Sequence, residues 1–355
     1  MNIKQLPVLI TLGAASLCTA IHAQKPVGND STLIVAENQE AEVAYNQGND
    51  FVAQRNYTQA IQSFSEAIAV NPRFSKAYIN RGFAKSEIAD YAGAISDFTH
   101  AITTDAQAAA AYYGRGLAYF NQGKSADAMQ DFNEAMRKGY KEAKVYYYVG
   151  IAHFELGEYE DAVNNLTLAI NTDGNNASMY NDRGSVYRVL EQYDKAIADY
   201  RQAIRLDPKM ATAYNNLGSV LMKKGNTDEA ISQYGLAIAL DPQYYIAYNN
   251  RARAKFEKNL FDDMISDCQK AISIKSDYAF AYNNMGIAQM KKKDYEAAYK
   301  SFSKAIQLNS NFAEAYLNRG SCAEMQRNFD KAVADWKKAS QLGIEKARNY
   351  IAFYE

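Results

Sequence analysis

The chain has 355 residues with 39 Lys+Arg and 40 Asp+Glu, a formal net charge of −1. That balance sets up no strong field toward nucleic acid or anionic membrane. Hydrophobic residues make up 48%, enough for a core, and 28 Tyr against only 5 Pro and 1 Trp suits an all-helical chain.

Residues 1–23 read as a signal peptide. Lys4 is a short basic start, Leu6 to Ala20 is mostly apolar, and Ala23 precedes the polar pair Gln24-Lys25. The apolar stretch is too short for an ordinary membrane span, and no later stretch is apolar enough to be one. Cleavage after Ala23 predicts an exported protein, periplasmic, outer-membrane-associated or secreted. Residues 24–40 contain Gly28, Asn29, Asp30 and Ser31 and are expected to be a flexible linker. Cys268 and Cys322 remain after cleavage, too far apart in the repeat register to suggest a bridge.

From residue 41 the chain repeats every 34 residues. Gly48, Gly82, Gly116, Gly150, Gly184, Gly218, Gly286 and Gly320 form one series, with Ala252 in the seventh place. Tyr78, Tyr112, Tyr146, Tyr180, Tyr214, Tyr248, Tyr282 and Tyr316 run in phase with it. With the glycine at position 8, the nine repeats are 41–74, 75–108, 109–142, 143–176, 177–210, 211–244, 245–278, 279–312 and 313–346. Each holds two helical patterns, at about positions 1–14 and 18–31, around a short polar turn. Asn71-Pro72, Asp207-Pro208 and Asp241-Pro242 end second helices, because proline cannot continue them.

Glycine inside a helix costs ~1 kcal/mol relative to alanine, so its recurrence needs a compensating reason. The simplest is that the two helices of a repeat touch at position 8, with the alanine of position 20 facing it. The aromatic of position 24 (Phe64, Phe98, Phe132, Tyr200, Tyr234, Phe302, Trp336) is expected to fill the space between repeats. Repeat seven departs, with Ala252, Met264 and Cys268 at positions 8, 20 and 24: two enlargements and one shortening. Residues 347–355 restart a first helix and are expected to cap the exposed core.

This pattern resembles the tetratricopeptide-repeat family, through its period, the aromatic at position 4, the small residues at 8, 20 and 27, and Pro at 32. The resemblance implies an all-α, right-handed superhelical solenoid of nine helix-turn-helix repeats plus a C-terminal capping helix. It implies that positions 2, 5, 6, 9, 12 and 13 of first helices line a concave groove that binds protein partners. In repeats one to four those positions are aromatic and apolar: Tyr45, Ile79, Phe83, Tyr113, Leu117, Phe120, Tyr147, Tyr148, Ile151 and Phe154. They suit apolar side chains of a partner, or they pack on neighbouring helices. In later repeats positions 5 and 6 turn to amides: Asn181, Asn215, Asn216, Asn249, Asn250, Asn283, Asn284 and Asn318, with Asp182 among them and Asn80 in repeat two. An amide both donates and accepts, so a row of them can hold the backbone of an extended peptide. The row is similar to the asparagine ladder in the repeat domain of O-linked N-acetylglucosamine transferase. No repeat has Lys or Arg at position 5, so the family's clamp for carboxylate tails is absent.

Catalysis has little to stand on. His100 and His153 have no metal spacing, and Ser301-Phe302-Ser303-Lys304 falls inside a helix without its companion motifs. The expectation is a non-enzymatic scaffold with no cofactor and no metal, binding a protein or peptide partner rather than nucleic acid or a small-molecule substrate. The alternative is a cell-envelope adaptor that docks folded enzymes or assembly factors on its outer surface.

Overall fold

The computed structural model describes residues 34–354, with side chains from residue 39 onward. The predicted signal peptide and residues 24–33 lie outside them. The described chain is helical and divides into two compact units, 34–190 and 191–354.

The first unit holds α1 (Ile34–Ala53), α2 (Tyr57–Val70), α3 (Ser75–Glu87), α4 (Tyr91–Thr104), α5 (Ala109–Asn121), α6 (Ser125–Arg137), α7 (Ala143–Leu156), α8 (Tyr159–Thr172) and α9 (Ala177–Val189). The second holds α10 (Tyr193–Leu206), α11 (Ala211–Lys223), α12 (Thr227–Leu240), α13 (Tyr245–Glu257), α14 (Phe261–Ile274), α15 (Ala279–Lys291), α16 (Tyr295–Leu308), α17 (Ala313–Met325), α18 (Phe329–Gln341) and α19 (Ala347–Ile351). In each unit every helix packs on the next in sequence, and successive first helices also meet, as α11 meets α13 and α13 meets α15. The result is a stack of helix-turn-helix hairpins in each unit.

Helix α1 begins at Ile34, so residues 34–40 are helical and not part of a flexible linker. The reason is local: between Ile34 and Gly48 there is neither Gly nor Pro, and Ala and Glu favour helix. At the other end α19 stops at Ile351, and Ala347, Ile351 and Tyr354 pack against Trp336 and its neighbours.

The turn inside each hairpin puts position 15 in the left-handed region. Gly123, Gly157 and Gly225 hold it, and so do Arg55, Ala89, Glu191, Asn259, Lys293 and Arg327, with φ between 57° and 64°. A side chain there costs roughly 1–2 kcal/mol, so the hairpin packing must over-determine the turn. Side-chain caps help start second helices: Asp90 accepts from the Gly93 N–H at 3.0 Å and Asp294 from the Ala297 N–H at 3.1 Å.

The position-8 glycines meet the second helix as expected, a β-carbon on Gly116 or Gly150 coming 3.2 Å from the carbonyl of Ala128 or Ala162, and they meet a ring as well. A β-carbon on Gly48 would stand 2.4 Å from the Phe64 ring, and one on Gly286 2.7 Å from the Phe302 ring. The aromatic of position 24 therefore lies on the glycine of its own repeat, fully buried, and also fills the space toward the next repeat, where Phe98 meets Gly114 and Phe64 packs with Ala84. Repeat seven solves the same packing problem with other volumes. Cys268 replaces the ring, and Ala252 and Met264 fill the space it vacates in one buried cluster.

Candidate functional site

The two asparagine series turn out to be partners of one another. Asn250 Nδ2 donates to Asn215 Oδ1 at 2.9 Å, Asn284 Nδ2 to Asn249 Oδ1 at 2.8 Å, and Asn318 Nδ2 to Asn283 Oδ1 at 3.0 Å. Each rung joins position 5 of one repeat to position 6 of the next. Asn215, Asn216, Asn249, Asn250, Asn283 and Asn284 are only 3–6% exposed, which an amide tolerates because the rung satisfies part of it.

The rung leaves a defined remainder. Among the described residues, Nδ2 of Asn215, Asn249 and Asn283, and Oδ1 of Asn250, Asn284 and Asn318, have no protein partner, and none is sealed from solvent. Across α13 and α15 the floor thus offers a donor at position 5 and an acceptor at position 6 of each repeat. That pair matches the N–H and C=O of an extended backbone.

The first compact unit builds its rungs from other residues. Asn80 Nδ2 donates to the Tyr45 hydroxyl at 3.0 Å and to Asn49 Oδ1 at 2.7 Å. Tyr147 donates its hydroxyl to Asp182 Oδ2 at 2.7 Å, and Asn181 Nδ2 donates to Asp182 Oδ1 at 2.9 Å. Asn181 and Asp182 have no exposed surface, so these bonds bring two donors to a buried carboxylate. Burial, followed by the Asp182 charge, pushes the Tyr147 hydroxyl far above its ordinary value.

Tyr113 and Tyr148 stand where repeats three and four would place a rung. Tyr113 stacks on Tyr140 at 4.6 Å and Tyr148 packs on Phe120 and Phe132, so the position is filled by rings. The Tyr113 hydroxyl is buried without a partner, and burial raises it well above the usual phenol range. Ile79, Tyr113, Leu117, Phe120 and Ile151 are 1–6% exposed. Most of the expected apolar groove in repeats one to four is therefore core, because those side chains meet adjacent helices. Tyr45, Phe83, Tyr147, Tyr148 and Phe154 are partly buried and pack against that core.

One recurrent feature escaped the sequence reading. Arg81, Arg115, Arg251 and Arg319, all at position 7, make two-pronged contacts of 2.7–2.9 Å with Asp97, Asp131, Asp267 and Asp335 at position 23. The aspartate hydrogen bonds hold Arg115, Arg251 and Arg319 above the usual guanidinium value. Arg81, Arg115 and Arg319 reach further, to Ser65, Thr99 and Ser303 of the preceding second helix. The co-occurrence of Arg at 7 with Asp at 23 was the available clue. These arginines are committed to the scaffold and are not free to meet a partner.

No helix among the described residues is long and apolar enough to cross a membrane. Cys268 and Cys322 are buried and unpaired, and burial raises both thiols, Cys322 to about 11. Among the described residues no group of three or more His, Cys, Asp or Glu is placed to hold a metal.

The sequence matches no curated protein. Among solved structures, a tetratricopeptide repeat protein from Parabacteroides merdae is 19% identical over 73% of this chain and 98% of its own, with TM-score 0.56. PilF of Pseudomonas aeruginosa is 19% identical over 59% of this chain and 96% of its own, with TM-score 0.53. The Cut9–Hcn1 structure of the APC/C is 15% identical over 88% of this chain and 75% of its own, with TM-score 0.58. At these identities the likeness concerns the fold alone. The family descriptions "Tetratricopeptide repeat" and "TPR repeat" match residues 45–84, 86–139, 184–225, 218–259 and 279–312. With that coverage of the repeats seen in the helices, the chain belongs to the tetratricopeptide-repeat family.

Proposed function

We propose that this protein is a non-enzymatic, exported scaffold that holds an extended partner segment along its first-helix face. The observation that carries this reading is the open half of each asparagine rung: a donor and an acceptor repeated from α11 to α17 on a floor that is otherwise closed. Half-exposed Met222, Phe256, Phe280 and Met290 flank that floor and offer apolar contact beside it. Backbone recognition by amides with apolar flanks fits a peptide and gives no handle for a reaction.

The test is photo-crosslinking in intact cells. A photo-reactive residue replaces Phe256 or Met290 on the first-helix face, or Lys270 or Lys304 on second helices. Capture of a partner at the first two positions and not at the last two supports the groove. The reverse pattern supports the alternative of an adaptor that docks folded envelope proteins on its outer surface. Export is tested in the same cells by mass spectrometry of the N-terminus: a chain starting at Gln24 in the envelope or medium is expected, and an intact Met1 in the cytoplasm overturns it.

A further inference from the structure

Helix α13 carries three cations whose surroundings differ. Arg251 forms its two-pronged contact with Asp267, and Lys255 reaches the same carboxylate at 2.8 Å. Arg253 lies between them in sequence but projects from the opposite side of the helix. It is half-buried and has no hydrogen-bond or ion-pair partner among the described residues. Arg253 stands four residues after Asn249 and three before Phe256, so the three share one face, that of the open amides.

A second cation joins it. Lys291 of α15 lies 5.8 Å from the centre of the Phe256 ring. The step from Phe256 to Lys291 is the same 35 residues that separates Asn215 from Asn250 in a rung. Lys291 likewise has no ion-pair partner among the described residues. Glu257, exposed at the end of α13, pairs with neither cation. Arg253 is also the one cation at position 9 in the nine repeats, and it sits in the repeat that replaces the glycine and the aromatic ring.

We infer that repeat seven holds an acidic side chain of the bound segment, with Arg253 and Lys291 around Phe256 receiving its carboxylate while Asn249, Asn250 and Asn284 hold the backbone beside it. This rests on the groove reading and adds its chemical selectivity: an extended peptide with a Glu or Asp at this point of the ladder. A half-buried guanidinium with its donors unspent gains most from a carboxylate, because the pair forms where water is partly excluded. No repeat carries the Lys or Arg at position 5 on which the family's clamp for carboxylate tails depends, so the acid need not be a chain terminus.

The test uses the full chain and end-capped, fluorescein-labelled nonapeptides of Gly, Ala and Ser with a central Glu-Glu, Gln-Gln or Lys-Lys, each also carrying a benzophenone. The Glu-Glu peptide is expected to bind about tenfold or more tighter than the Gln-Gln peptide. Arg253→Gln, at a half-buried side chain without a hydrogen-bond or ion-pair partner among the described residues, should bring that ratio close to one, with Lys291→Gln reducing it in part. Equal binding of all three peptides with cross-links on α13 and α15 overturns the acidic site and leaves the groove reading standing. A Glu-Glu preference that survives both substitutions also overturns it. Absence of binding, or cross-links confined to second helices, overturns the groove reading and the acidic site together.

Discussion

Tyr113 shows how a single atom can run against the packing around it. Its ring is well used, stacked on Tyr140, yet its hydroxyl is sealed in without a partner. Such an orphan costs about 1–3 kcal/mol. Tyr113→Phe is therefore expected to raise stability by roughly 1 kcal/mol, read as a higher urea midpoint with an unchanged slope. Gly286 poses the opposite problem, since a methyl group there would meet the Phe302 ring at 2.7 Å. Gly286→Ala should cost a net ~1–2 kcal/mol, overpacking outweighing the gain in helix propensity. Adding Phe302→Cys to Gly286→Ala imitates repeat seven. It should cost less than the sum of the two single changes, a coupling that denaturant titration of all four proteins measures.

At the scale of the hairpin, the arginine of position 7 clips three helices: its own, the second helix of its repeat, and the one before. Repeat seven lacks the third attachment, because Gly235 stands where Ser65, Thr99 and Ser303 supply a hydroxyl elsewhere. A β-carbon on Gly235 would lie 3.7 Å from Arg251 Nη1, an ordinary contact. Gly235→Ser should stabilise the protein by about 1 kcal/mol, from helix propensity and one new hydrogen bond. Part of that gain should vanish when Arg251 is first changed to Lys. Had the gain come from helix propensity alone, it would be the same in both backgrounds.

For the molecule as a whole, the buried phenols and thiols set an alkaline limit. Burial raises Tyr113, Tyr147, Tyr148 and Cys268, and brings Cys322 to about 11. In the unfolded chain these groups ionise near their ordinary values, about 8.5 for Cys and about 10 for Tyr. A raised folded value means the native state keeps its protons longer. The stability they contribute is complete below about pH 8 and is lost as pH climbs past these values. The urea midpoint should fall steeply between about pH 8.5 and 11. A flat profile over that range would contradict the burial of these groups.

The architecture was legible from the residues because a 34-residue period imposes the same helix, turn and helix nine times, and local propensity and periodicity agree in each copy. The candidate site was legible only as a pair of asparagine columns. That the columns bond to each other, that Tyr113 and Leu117 are core rather than groove, and that Arg251 is spent while Arg253 is not, depend on which neighbouring repeat each side chain reaches. Sequence by itself determined the elements and their order, since these follow from interactions within about one repeat. Only tertiary structure decided which polar atoms remain open to a partner, because two arginines two residues apart on one helix have the same chemistry until the packed helices around them supply an aspartate to one and solvent to the other.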